Sequence, residues 1–112
     1  MKLRILARDY RQPDLRRGLV EFDASAATLL FDQYYEYAVP GEDGPGFVRT
    51  RIYVTELGNF VRRHEGKGWD IEPFDEYEIW PKNQALAYLA SHPDHVTEEG
   101  ERILEEAEIE KV

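Results

Sequence analysis

The 112-residue sequence contains no cysteine. That removes disulfide staples, thiolate metal sites and cysteine nucleophiles together. Serine is nearly absent too. Ser25 and Ser91 are the only two, and neither lies in the Gly-x-Ser-x-Gly turn of a hydrolase. Ser91 precedes His92 directly, a spacing too close along a helix for a useful serine–histidine pair. No apolar run approaches the roughly 18 residues a membrane-crossing helix requires. The opening stretch Met1–Arg8 is broken by charge and lacks the apolar segment of a signal peptide, so the expected location is cytoplasmic. The glycines of residues 41–46 surround Glu42 and Asp43 with no lysine after them, which is no cradle for phosphate.

What is present is charge and aromatic side chains. Charged residues make up 33% of the chain, yet seven tyrosines, five phenylalanines and two tryptophans supply enough apolar surface for a folded core. The length suits a single domain spanning residues 1–112. The net charge of −9 is unevenly placed. Residues 1–21 and 47–67 each carry a surplus of three positive charges, and residues 22–46, 68–80 and 81–112 each carry a surplus of five negative ones. A general polyanion partner is disfavoured at this balance, because binding one requires basic side chains to neutralise phosphates. The simplest fate of the two basic blocks is cross-strand pairing with the acidic blocks beside them.

Alternation of apolar and polar residues predicts strands over 2–8 and 18–22, and most clearly over 48–55. Glu56-Leu57-Gly58-Asn59 reads as a turn returning the chain into a strand from Phe60 to His64; a helix capped by Thr55 is the competing reading. Glu76–Trp80 is a further strand. Asp23 resembles a helix N-cap, and Leu30, Phe31, Tyr34, Tyr35 and Ala38 form a helical stripe. Phe31, Gln33, Tyr35, Tyr37 and Val39 also alternate, but a helix is the preferred reading. Pro81 opens a helix carrying Ala85, Leu86, Leu89 and Ala90, and Pro93 ends it. Thr97 caps a last helix with Ile103, Leu104 and Ala107 inward. Residues 40–46 are expected to form a flexible loop, and residues 108–112 a fraying tail, since glutamates oppose the dipole there. The expected fold is α+β, an antiparallel sheet of about four to five strands with two to three helices on one face.

Three groups of residues are candidates for function. His92-Pro93-Asp94-His95 could supply two imidazoles and a carboxylate to a metal ion in a metal-assisted enzyme, but histidines flanking a proline between helices more simply cap the helix before them. Arg49, Arg51 and Tyr53, with Tyr34, Tyr37 and Trp69, could form a guanidinium-and-ring surface for a protein partner or, in a small regulator, for nucleic-acid bases. Glu98, Glu101 and Glu105 belong to a run of seven glutamates and one arginine over residues 98–110, a surface suited to a basic partner. No catalytic residues, resident metal or cofactor is expected. The leading expectation is a non-enzymatic interaction module that binds a basic protein surface or its own copy in a homodimer. An inhibitor, immunity or antitoxin-like accessory role fits, since carboxylates can occupy a groove built for phosphates.

Overall fold

The computed structural model describes residues 2–9, 16–37, 46–68 and 71–107, with side chains from residue 21 onward. The loop and tail expected at 40–46 and 108–112 lie outside the described residues, apart from Gly46, which begins a strand. The chain is α+β. Six strands, β1 (Lys2–Asp9), β2 (Arg16–Asp23), β3 (Thr28–Tyr37), β4 (Gly46–Val54), β5 (Phe60–Gly68) and β6 (Ile71–Trp80), precede helices α1 (Lys82–Ser91) and α2 (Glu98–Glu106). A 3₁₀ turn, Pro93–His95, joins the helices.

The strands form one sheet in the order β2-β1-β6-β5-β4-β3. From β3 to β6 it is an antiparallel meander. The β1–β2 hairpin attaches to β6 by a short parallel contact, Ala7–Asp9 beside Tyr77–Ile79. That parallel contact makes the sheet six-stranded and mixed, larger than the four to five antiparallel strands expected. Nothing local in the sequence marks which strand a distant hairpin will join.

The expected helix after Asp23 is instead a turn followed by β3. The Asp23 carboxylate does cap, but it caps a turn, accepting from the Ser25 amide at 3.1 Å and the Ser25 hydroxyl at 2.6 Å. The Ser25 hydroxyl bond is the largest of the contacts that lower the Asp23 pKa to about 2. The misleading signal has a definite origin. The β3–β4 register shifts between Leu29 and Phe31, so Leu30 is an extra, bulged residue. Leu30 and Phe31 are both fully buried in the same apolar cluster. Two consecutive inward residues break the period of two and imitate a helical stripe.

The turn between β4 and β5 forms as expected. Thr55 accepts from the Gly58 amide and donates its own amide to the Asn59 carbonyl, both at 2.9 Å, and Gly58 holds φ at +82°. A side chain at Gly58 would be strained there even though the space around it is open.

Each face of the sheet has its own core. Leu30, Phe31, Ile52, Phe60 and Trp80 meet Ala85 and Leu89 of α1, with Val96, Ile103 and Leu104 packed on the outside. On the opposite face Phe22, Tyr53, Val61 and Tyr77 cluster, flanked by Ala24 and Ala27 of the β2–β3 turn. The helices therefore lie on one face, and α1 buries Ala85 and Leu89 and half-buries Leu86 as its periodicity predicts, while Ala90 of the same predicted stripe is exposed. Truncating a fully buried leucine such as Leu89 to alanine costs about 3 kcal/mol.

Candidate functional site

Alternation along β4 puts Arg49, Arg51 and Tyr53 on one face, the face without helices. Each has a partner there. Arg49 donates to both Asp32 oxygens, from Nε at 2.9 Å and Nη2 at 2.7 Å. Arg51 pairs with Glu65 across β4 and β5. Arg63 donates to both Asp75 oxygens at 2.9 and 2.8 Å, lies 3.4 Å from Glu65, and sits over the Tyr77 ring at 5.3 Å. The result is a ladder of carboxylates and guanidiniums spanning β3 to β6. It raises the pKa of Arg49 through Asp32 and that of Arg63 through Asp75. Burial raises the pKa of the Tyr77 phenol beneath it.

Arg49 and Arg63 are thus engaged by the flanking acidic blocks, as the charge pattern suggested, and so is Arg62 through Glu78, whereas Arg51 finds Glu65 within its own block. Tyr53 is only 6% exposed, with Phe22 edge-on at 5.4 Å, so it acts as a packing residue rather than a contact surface. Phosphates docking on this face would have to displace carboxylates already in bidentate contact.

On the helical face, Arg62 pairs with Glu78 and lies 5.6 Å from the centre of the Trp80 ring. Beyond them the Thr50 hydroxyl and His64 Nδ1 meet at 2.9 Å, with the Phe74 ring 5.1 Å from the imidazole. Burial, then the Arg62 cation, lowers the His64 pKa below its usual value, against smaller opposing effects of Glu76 and Glu78. The sequence put His64 at the end of the return strand but assigned it no partner. The alternation of β5 was the available signal, once β5 is known to be a strand.

The two histidines of the His92–His95 segment flank Phe31, with ring centres 6.1 and 6.0 Å from it. His92 stacks on Tyr88 at 4.1 Å, and its Nδ1 lies 2.9 Å from the Tyr88 carbonyl. A carbonyl only accepts, so that nitrogen carries the proton and caps the last turn of α1. Contrary to the spacing argument, Ser91 does reach His92, its Oγ 3.0 Å from Nδ1. The protonated nitrogen has no lone pair with which to activate that hydroxyl. The Ser91 hydroxyl donates to the same Tyr88 carbonyl at 3.0 Å. Among the described residues, no group of three or more histidines and acids is placed to hold a metal ion.

The remaining candidates lie along the outer edge of the sheet, where β3 is the terminal strand. Helix α2 is fastened to the start of that strand. Thr97 caps α2 by accepting from the Gly100 amide at 3.1 Å, and its hydroxyl donates to the Leu29 carbonyl at 2.7 Å. Glu98, Glu101, Glu105 and Glu106 are exposed on α2, and among the described residues none forms an ion pair; Arg102 pairs with Glu99 instead. Farther along β3, Tyr34 is 51% and Tyr35 63% exposed. Tyr34 stacks on Phe47 and donates to Glu36 at 2.9 Å, a bond that raises its phenol pKa. Tyr37 is half-buried beside Gly46 and donates to the Lys67 carbonyl at 3.3 Å. A Cβ at Gly46 would lie 2.5 Å from the Tyr37 ring, so a side chain there would push that ring aside. Trp69 lies outside the described residues. The structure therefore brings the glutamates and the exposed tyrosines to one edge, and separates both from Arg51 and Tyr53.

No helix among the described residues is long and apolar enough to cross a membrane. The chain matches no protein-family model, no curated protein and no solved structure.

Proposed function

We propose that this protein works by contact, as an interaction module that presents the acidic face of α2 to a basic surface on a protein partner. One observation carries the reading. All five arginines whose side chains are described, Arg49, Arg51, Arg62, Arg63 and Arg102, have acidic partners within the chain, whereas Glu98, Glu101, Glu105 and Glu106 are exposed and form no ion pair among the described residues. A surface of that sign steers association with basic proteins and repels polyanions. A partner that itself binds nucleic acid has a suitable face, so an inhibitor, immunity or antitoxin-like accessory role is the form of this function we favour.

The test is capture from the native host with the wild-type chain and with a Glu98→Gln, Glu101→Gln, Glu105→Gln variant. A basic protein recovered by the first and lost by the second, with binding that weakens as salt rises, supports the proposal. Recovery of nucleic acid in place of protein, or equal recovery by both chains, overturns it.

A further inference from the structure

The outer edge of β3 is divided in two. Near its start the edge is covered by the chain itself: the Thr97 amide bonds the Leu30 carbonyl at 3.0 Å, and Val96 bridges to Phe31. From Asp32 to Tyr37 no strand lies beside it among the described residues. Natural sheets blunt an exposed edge with charged side chains, lysine above all, with proline or with a bulge. Between Asp32 and Tyr37 there is no lysine or proline; the two charges there are engaged, Asp32 by Arg49 and Glu36 by Tyr34, and the bulge at Leu30 lies in the covered part. The two most exposed tyrosines among the described residues, Tyr34 and Tyr35, stand on the open part instead.

We infer that this open edge pairs with the same edge of a second copy, antiparallel about a two-fold axis at Tyr35, so that two sheets become one. The register follows from chemistry. Paired residues must share a face, so the strands slip only in steps that keep odd opposite odd and even opposite even. With Tyr35 opposite Tyr35 of the partner subunit, Tyr34 faces Glu36 of the partner subunit and Gln33 faces Tyr37 of the partner subunit. The Tyr34 phenol already donates its one O–H to Glu36 of its own chain at 2.9 Å, so that proton reaches the partner's Glu36 only by exchange, and charge rather than added hydrogen bonding selects the register. A slip of one step sets Asp32 against the partner's Glu36, and a slip the other way sets Glu36 against the partner's Glu36. Both place like charges opposite each other. The axis at Tyr35 avoids this and sets Tyr34 opposite Glu36 at two symmetric places, as an isologous interface must.

This inference uses a different surface from the proposed function, the open edge of β3 rather than the outward face of α2, and the two are separable. The chain lacks cysteine, so an introduced thiol reports a single position. Opposed residues in an antiparallel pair have Cα atoms within disulfide reach, whereas residues two places apart do not. Wild-type protein should sediment at twice the 13.1 kDa chain mass, with tighter association as salt screens the −9 charge on each copy. Under mild oxidation Tyr35→Cys should form a disulfide dimer at least about tenfold faster than Tyr34→Cys. Tyr35→Lys, which sets two ammonium groups face to face, should raise the dissociation constant about tenfold or more while leaving the thermal unfolding of the monomer unchanged. A monomer at every concentration up to the solubility limit overturns the inference. So does cross-linking of Tyr34→Cys as fast as Tyr35→Cys, or growth beyond a dimer. A monomer that still captures a basic protein would remove the dimer and leave the proposed function standing; a dimer that captures none would do the reverse.

Discussion

Thr97 and Leu29 lie 68 positions apart in sequence and meet at 2.7 Å, the threonine hydroxyl donating to the leucine carbonyl while it caps α2. One side chain thus ends the backbone accounting of a helix and of a sheet edge. Thr97→Val keeps the shape and loses both bonds, and should cost about 2 kcal/mol in urea unfolding. Thr97→Ser should recover most of that loss.

Gly100 sits inside α2, where glycine to alanine ordinarily stabilises a helix by about 1 kcal/mol. Here the sign should reverse. A Cβ at Gly100 would collide with the Leu30 carbonyl oxygen and come within 2.7 Å of Val96 Cγ1. The first contact is with backbone at the bulge, which cannot turn aside. Gly100→Ala should destabilise by about 2 kcal/mol or more, seen as a lower urea midpoint.

His64 gives the fold an acid-side sensitivity. Burial and Arg62 place its folded pKa below the usual 6.5, so the folded state favours the neutral ring. That contribution is complete above the unfolded pKa and is lost as pH falls from there through the folded value. Wild-type stability should therefore drop below pH 6.5 relative to His64→Gln, whose curve lacks this component. Parallel curves for the two proteins over that range would remove His64 as the cause.

The Arg51–Glu65 pair is mostly buried, with side chains 16% and 18% exposed. Breaking it from one side leaves a charge without its partner; removing both charges does not. Glu65→Leu should cost about 3 kcal/mol, and Arg51→Leu with Glu65→Leu should cost less than the single change. Because Glu65 also touches Arg63, a cycle with Arg63→Met should show coupling as well.

Much of this arrangement was legible in the sequence because it rests on local physics. The alternation of β4, the Gly58 turn, the proline at the head of α1, the Thr97 cap and the balance of charged blocks each depend on neighbours within a few residues. β3 was misread because its bulge, a property of pairing with β4, places Leu30 and Phe31 on the same side. The pattern marks Tyr53 as a contact residue, but Phe22, near the end of β2, packs edge-on against it. The exposed edge at Tyr34 and Tyr35 could not be read either, since being last in a sheet is a matter of strand order.

The sequence by itself determined that this is an acidic, thiol-free α+β chain with a basic central block that needs acidic partners, because composition and short-range periodicity carry that information. Only the tertiary structure decided which carboxylate meets which arginine, which tyrosines are buried, and which strand is left at the rim. Those outcomes follow from contacts between distant segments, which no local pattern encodes.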